Sequence, residues 1–173
     1  MYPGGNIVRV TPTVVAGTTS DNDVMFDATE IPNAVSNRGG VSKLIGITII
    51  DKHNEQHDMD VILMQKQTNF GTADSISSIT RANLEASKII GILGIDFTDG
   101  LSVFALSSGN AAIYTASSQL KGATSTTTSV LPLLLQAEGG STSVYFTAIA
   151  NGADIDYNAT DDLEFVFHIE YMD

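Results

Sequence analysis

Residues 139–173 read GGSTSVYFTAIANGADIDYNATDDLEFVFHIEYMD. Leu163, Phe165, Phe167, Ile169 and Tyr171 alternate there with Glu164, Val166, His168 and Glu170. Apolar against polar at a period of two, broken only by Val166, marks a strand with one face in a core and the other in water. Ser143–Asn151 is a second strand, and Gly152–Asp162 is the turn-rich link between the two. The chain therefore closes a β core with its final segment.

The same pattern recurs toward the start of the chain. Val130–Gln136 is apolar, with Pro132 limiting its ladder bonds because proline has no N–H to donate. Lys88–Asp96 is a strand whose Gly91 and Gly94 imply a bend or a close backbone approach. Ser102–Leu106 and Ala111–Thr115 flank a Ser107–Asn110 turn, and Gln119–Ser129 is a Ser/Thr-rich loop. Val41–Asp51 is the strongest strand of the first half, with Ile45, Ile47 and Ile49 on one face and Leu44, Gly46, Thr48 and Ile50 on the other. Both faces are mostly apolar, so the strand is central and covered on both sides, or lies under a subunit contact. Met59–Gln65 is its hairpin partner across the polar link at residues 51–58. Gly39 and Gly40 form a tight turn, and Gln67–Ser78 is loop.

Asn6–Val15 reads as a first strand that Pro12 places at an edge, at a bulge or in two pieces. Gly17–Asp23 and Ala28–Ala34 read as turns around a short Val24–Phe26 strand. The one helix lies near residues 80–87, with Thr80 able to cap it, and its shortness calls for support from packing. Roughly eight to ten short strands with polar turns imply an all-β, single-domain β-sandwich, with a jelly-roll-like form open. Its expected extent is residues 7–173. Residues 1–6 are expected to form a flexible arm, because Pro3, Gly4 and Gly5 oppose regular structure.

The chain has 173 residues, 8 basic and 20 acidic, for a formal net charge of -12. Nucleic-acid binding needs clustered Lys and Arg, and here they are scattered singly, so neither a nucleic-acid nor an anionic-membrane partner is expected. No cysteine is present, which excludes disulfides and thiolate chemistry. Charged residues make up 16% of the chain, against about 25% in ordinary domains. Ser, Thr, Asn and Gly take their place, as suits a turn-rich β protein. No secretory leader and no apolar run of about 20 residues is evident, so synthesis in the cytosol and solubility are expected.

Candidate chemistry is sparse. His53 and His57 stand four apart, but in a link between strands, and both are expected to sit in a solvated hairpin tip. His168 falls on the polar face of the last strand. Acidic pairs at Asp21/Asp23, Asp58/Asp60, Asp154/Asp156 and Asp161/Asp162 read as turn acids. If calcium binds anywhere, Asp154 and Asp156 are the first place to look. No nucleophile elbow and no phosphate loop is present. The expectation is a protein that is not an enzyme, with no catalytic, cofactor or metal residues.

Three stretches carry a family resemblance: DATEIPNAVSNRGGVSKLIGITIIDK, SITRANLEASKIIGILGI and the closing stretch quoted above. Together they cover about half the chain, and their order resembles the head decoration, or cement, proteins of tailed bacteriophages. Their motifs are positional rather than catalytic. The resemblance implies a β-sandwich, with a jelly-roll-like form open, on the exterior of the virion. There it would bind the major capsid protein and reinforce contacts between capsid subunits as a homo-oligomer, with a trimer favoured. The partner-binding residues expected on this reading are Met1, Tyr2, Pro3, Ile7 and Arg9, in the arm and the first strand. The alternative is a carbohydrate- or receptor-binding module of a phage fibre or tail, with Tyr114 and Tyr157 as stacking platforms and Asp156 beside them.

Overall fold

The computed structural model describes residues 4–97, 102–106, 109–117, 131–152 and 154–172. The expected loop at Gln119–Ser129, the start of the Val130 strand and the Ser107–Ser108 turn lie outside the described residues, as do Met1, Tyr2 and Pro3.

In chain order the strands are β1 (Gly5–Val10), β2 (Gly17–Thr19), β3 (Thr29–Ile31), β4 (Val41–Asp51), β5 (Met59–Met64), β6 (Ile89–Ile95), β7 (Ser102–Leu106), β8 (Gly109–Ser117), β9 (Leu133–Gln136), β10 (Val144–Ala150), β11 (Ile155–Tyr157) and β12 (Leu163–Tyr171), with helix α1 (Arg81–Ser87) before β6. One sheet runs β1-β12-β4-β8-β7, with β9 also paired to β4, and a second runs β3-β10-β5-β6. β8 takes the second half of β4 and β9 takes the first half. Without the β7–β8 hairpin and the small β2–β11 pair, the sheets read β1-β12-β4-β9 and β3-β10-β5-β6. That is the jelly-roll order, two Greek keys folded over each other.

The last strand does what its period requires. Phe165 and Phe167 face inward and meet Phe146 of β10 at 5.0 and 4.9 Å, edge to face, while Phe26 stands 5.3 Å from Phe146. These four rings join the two sheets, and edge-to-face pairs are worth about 0.5–1.5 kcal/mol each beyond the area they bury. β12 is central, with β1 on one side and β4 on the other.

Several expectations change. Gly5 and Asn6 pair with Glu170 and Ile169, so the sheet begins inside the stretch expected to be a loose arm. The first strand stops at Val10, and Pro12 lies beyond it in irregular chain. Gly17–Thr19 and Thr29–Ile31, expected as turns, are short strands, and Val24–Phe26 is not a strand, although Val24 bridges to Ile149.

The faces of β4 also change. Leu44 pairs with Ile169 but Gly46 pairs with His168, so Ile45 is an extra residue. This bulge resets the alternation. Leu44, Ile47 and Ile49 are all buried, whereas Ile45 is 40% exposed. Ile45 was expected to share a face with Ile47 and Ile49, and the bulge turns it out of the core.

The loop between β5 and α1 roofs the outer side of the second sheet. Phe70 packs with Val24, Ala28, Ile62 and Met64 in a satellite core. Asn69 Oδ1 accepts the Ala28 N–H at 2.9 Å, and Gln67 Nε2 donates to the Ala28 carbonyl at 2.9 Å. The helix starts where expected: Thr80 Oγ1 accepts the Asn83 N–H at 3.2 Å, and Lys88 ends it in the left-handed region at φ 51°. Its support differs from expectation, since Ser87 is its one buried residue. Beyond its cap the helix is tied down at its end, where the Ser87 carbonyl accepts the Lys66 N–H at 3.2 Å.

The double-glycine turn before β4 is sterically required. A Cβ on Gly40 would stand 2.7 Å from the Asn37 carbonyl oxygen, a backbone atom that cannot rotate away. Gly40→Ala is expected to cost about 1–3 kcal/mol through this overpacking, read as a lowered urea midpoint at unchanged slope.

Candidate partner-binding surface

β1, β12 and β4 position three layers of outward side chains. Ile7 pairs with His168, which pairs with Gly46, and the bulged Ile45 stands beside Gly46. Ile7 is 64% exposed. An apolar row thus crosses three strands with an imidazole at its centre. On one side of it Arg9 is ion-paired to Glu164. On the other, Lys43 Nζ lies 3.7 Å from Glu170. The flanks are charge-balanced on a chain whose net charge is -12. His168 is further tied to the sheet: its Nε2 is 3.3 Å from Thr48 Oγ1, which is 3.1 Å from Thr115 Oγ1. Val166, the break in the alternation, points outward yet is buried, because Arg9 and Thr48 flank it in the neighbouring strands.

Of the five residues expected to bind a partner, Ile7 and Arg9 fall on this face, and Met1, Tyr2 and Pro3 lie outside the described residues. Reading the sequence missed Ile45 and the Lys43–Glu170 pair. The one available signal was that Val41–Asp51 is too apolar for a strand with a wet face.

The carboxylates at the loop end of the sandwich are engaged in holding backbone. Asp51 is fully buried. Its Oδ1 accepts the His53 and Asn54 N–H groups at 2.9 and 2.8 Å, and its Oδ2 accepts that of Gln56 at 2.8 Å. Asn54 and Gln56 both lie in the left-handed region, at φ 64° and 54°. Asp162 Oδ2 accepts the Asn158 and Ala159 N–H groups at 2.9 and 2.8 Å. Asp58 Oδ1 accepts that of Phe97, and Asp21 Oδ1 that of Gly152. Burial pushes the Asp51 carboxyl above its ordinary range, and its backbone donors oppose that shift. Desolvation also raises Asp60. Asp154 and Asp156 are exposed and separated by the buried Ile155. Among the described residues no three His, Asp or Glu side chains converge into a group able to hold a metal ion.

The two histidines of the link part company. His53 stays at the surface, 3.6 Å from Glu55 and bonded to the Asn158 amide. His57, expected in the same solvated tip, is only 4% exposed, and its Nε2 has no hydrogen-bond partner. The link folds back on Asp51 and carries His57 inward. Burial lowers the His57 pKa, against the opposing pull of Asp58, Asp21, Asp154 and Asp51. A group with a depressed folded pKa contributes stability that is present above the unfolded value and is lost as pH falls through the folded value. The urea midpoint is therefore expected to drop as pH falls below the unfolded value of 6.5. His57→Gln should flatten that fall. Asp51 and Asp60 act with the opposite sign, from the carboxylate range upward, so the difference between wild type and variant isolates His57.

The two tyrosines expected as stacking platforms are buried. Tyr114 packs against Phe97 at 5.5 Å, and Tyr157 is 2% exposed with its hydroxyl inside the protein. Burial raises the Tyr157 phenol further above its ordinary value, with the negative charges of Asp51, Glu55 and Asp162 adding to the shift. Neither ring can lie against a sugar without unfolding its surroundings.

No protein-family model and no curated protein matches this chain.

Proposed function

We propose that the protein is a virion structural protein that binds the outer surface of an assembled tailed-phage capsid as a small homo-oligomer and stabilises contacts between major capsid proteins. The observation that carries this reading is the outward face of β1, β12 and β4. Its apolar row of Ile7 and Ile45 lies between two charge-balanced flanks, which is the anatomy of a protein interface: an apolar centre with a polar rim. The carboxylates of Asp21, Asp51, Asp58 and Asp162 are committed to backbone N–H groups, which suits a scaffold more than an acid–base couple. A jelly roll is at home in viral shells, an analogy of fold rather than of site.

The binding test is co-sedimentation with capsids of the phage that encodes the protein. Ile7→Glu is the variant of choice. Deleting residues 1–7 would also remove half of the β1 ladder and confuse binding with folding. At 64% exposure, the glutamate leaves the core intact. Wild type is expected in the pellet and Ile7→Glu in the supernatant, with affinity down at least about tenfold, as for a central interface residue. Equal pelleting of the two would remove this face from the reading, and failure of both to pellet would remove the reading itself.

A further inference from the structure

The sheet edges are finished differently, and β7 and β9, which are also uncharged, are shorter than β6 at five and four residues. β3 is three residues long and carries the exposed Glu30. β1 carries Arg9, paired to Glu164. β6 is seven residues long, from Ile89 to Ile95, with no charged residue. Among the described residues it ends its sheet with no strand beyond it. The loop that roofs this sheet packs on Ile62, Met64, Tyr145 and Ile149 of β5 and β10. It leaves Ile89 and Ile92 of β6 at 38% and 48% exposure. A long, uncharged edge is a template for another strand unless something blunts it.

We propose that β6 pairs antiparallel with β6 of a second copy, joining two four-stranded sheets across a two-fold axis near Leu93. The bulge where β5 meets the start of β6 confines regular pairing to Gly91–Ile95, and Leu93 is the centre of that stretch. About Leu93, Ile92 of each copy falls opposite Gly94 of the other. Ile92 and Gly94 share the outer face, since they pair with Ile62 and Asp60 of β5. Each copy thus offers one projecting side chain and one vacant position, and the fit is reciprocal.

Charge selects both the partner and the orientation. At one end of the β5–β6 pair stand Lys66 and Lys88, joined where the Lys66 N–H donates to the Ser87 carbonyl at 3.2 Å. Lys88 is already bonded to Glu138 at 3.0 Å, whereas Lys66 has no ion partner among the described residues. At the other end stand Asp58, Asp60 and Asp96. Antiparallel pairing sets the basic end of each copy beside the acidic end of the other, and parallel pairing would set acid on acid. Two chains of net charge -12 repel over most of their surfaces. An uncharged edge flanked by opposite signs is where they can approach. Such a contact is isologous and closes at two copies.

The test is sedimentation equilibrium of the full chain, with amide hydrogen exchange followed against protein concentration. A monomer–dimer equilibrium is expected, with added protection confined to residues 91–95. Ile92→Lys, at a half-exposed site that tolerates lysine, should sediment as a folded monomer. Lys66→Glu reverses a charge at both ends of the symmetric contact and should weaken the dimer roughly tenfold. A wild type that stays monomeric, an oligomer unchanged by Ile92→Lys, or protection appearing on β1 and β12 instead would each overturn the proposal.

Discussion

Phe167→Asp is expected to yield no folded protein. Phe167 has no exposed surface, and its ring sits 4.9 Å from Phe146 of the opposite sheet and 6.2 Å from Phe165. The substitution removes the ring that joins the sheets and puts an unpaired carboxylate in its place. Loss of a buried phenylalanine alone costs about 3–5 kcal/mol. Leaving a charge without a partner in an apolar site adds several more, and a domain of this size holds about 5–15 kcal/mol in all. Phe167→Leu, which keeps the site apolar, should fold with a loss of about 1–2 kcal/mol. Circular dichroism and urea titration of the pair check the claim. A soluble, cooperatively folding aspartate variant would mean that the inward face of β12 is misassigned.

Asp51→Ala is expected to be the most damaging change outside the aromatic core. It strands three N–H groups that the carboxylate now satisfies at 2.8–2.9 Å. An orphaned donor costs up to about 1–3 kcal/mol, and because these three bonds are only partly buried, water reaching the opened link recovers part of that. A net loss of about 2–4 kcal/mol is expected in the urea midpoint. The link at residues 52–57 should also gain exchange and protease sensitivity, because its left-handed Asn54 and Gln56 are held by this residue. Asp51→Asn keeps one acceptor oxygen and should recover about half of the loss. A variant with unchanged stability would show that the link is held by its other contacts.

How much of this was legible in the sequence depends on how local the deciding interaction is. β12 was readable because its alternation runs over nine residues with Val166 as the single break, and its inward face is wholly apolar. The cap of α1 was readable because Thr80 acts within its own turn. β4 was located correctly but its faces were misread. A bulge is set by the partner strand, and nothing in VSKLIGITIID announces that Ile45 is the extra residue. β2 and β3 escaped because three residues are too few to show a period. Each exists only because β11 or β10 runs beside it. His57 and Tyr157 were placed in water because turn-rich surroundings suggest it. The burial of His57 follows from how the 51–58 link folds back on Asp51, and Tyr157 lies on β11, which is placed by its pairing with β2, contacts that local pattern does not encode. The outward face is the opposite case: Ile7 and Arg9 were singled out from the sequence, but their meeting with Ile45 and Lys43 depends on the order β1-β12-β4.

The most direct measurement for the account as a whole is electron cryomicroscopy of capsids mixed with the purified protein. Added density is expected on the outer capsid surface, with the face formed by Ile7, Ile45 and His168 laid against the shell and the loops around Asp51 and Asp162 at its side. Bare capsids at saturating protein, or density attached through those loops with the β1–β12–β4 face left in solvent, would contradict it.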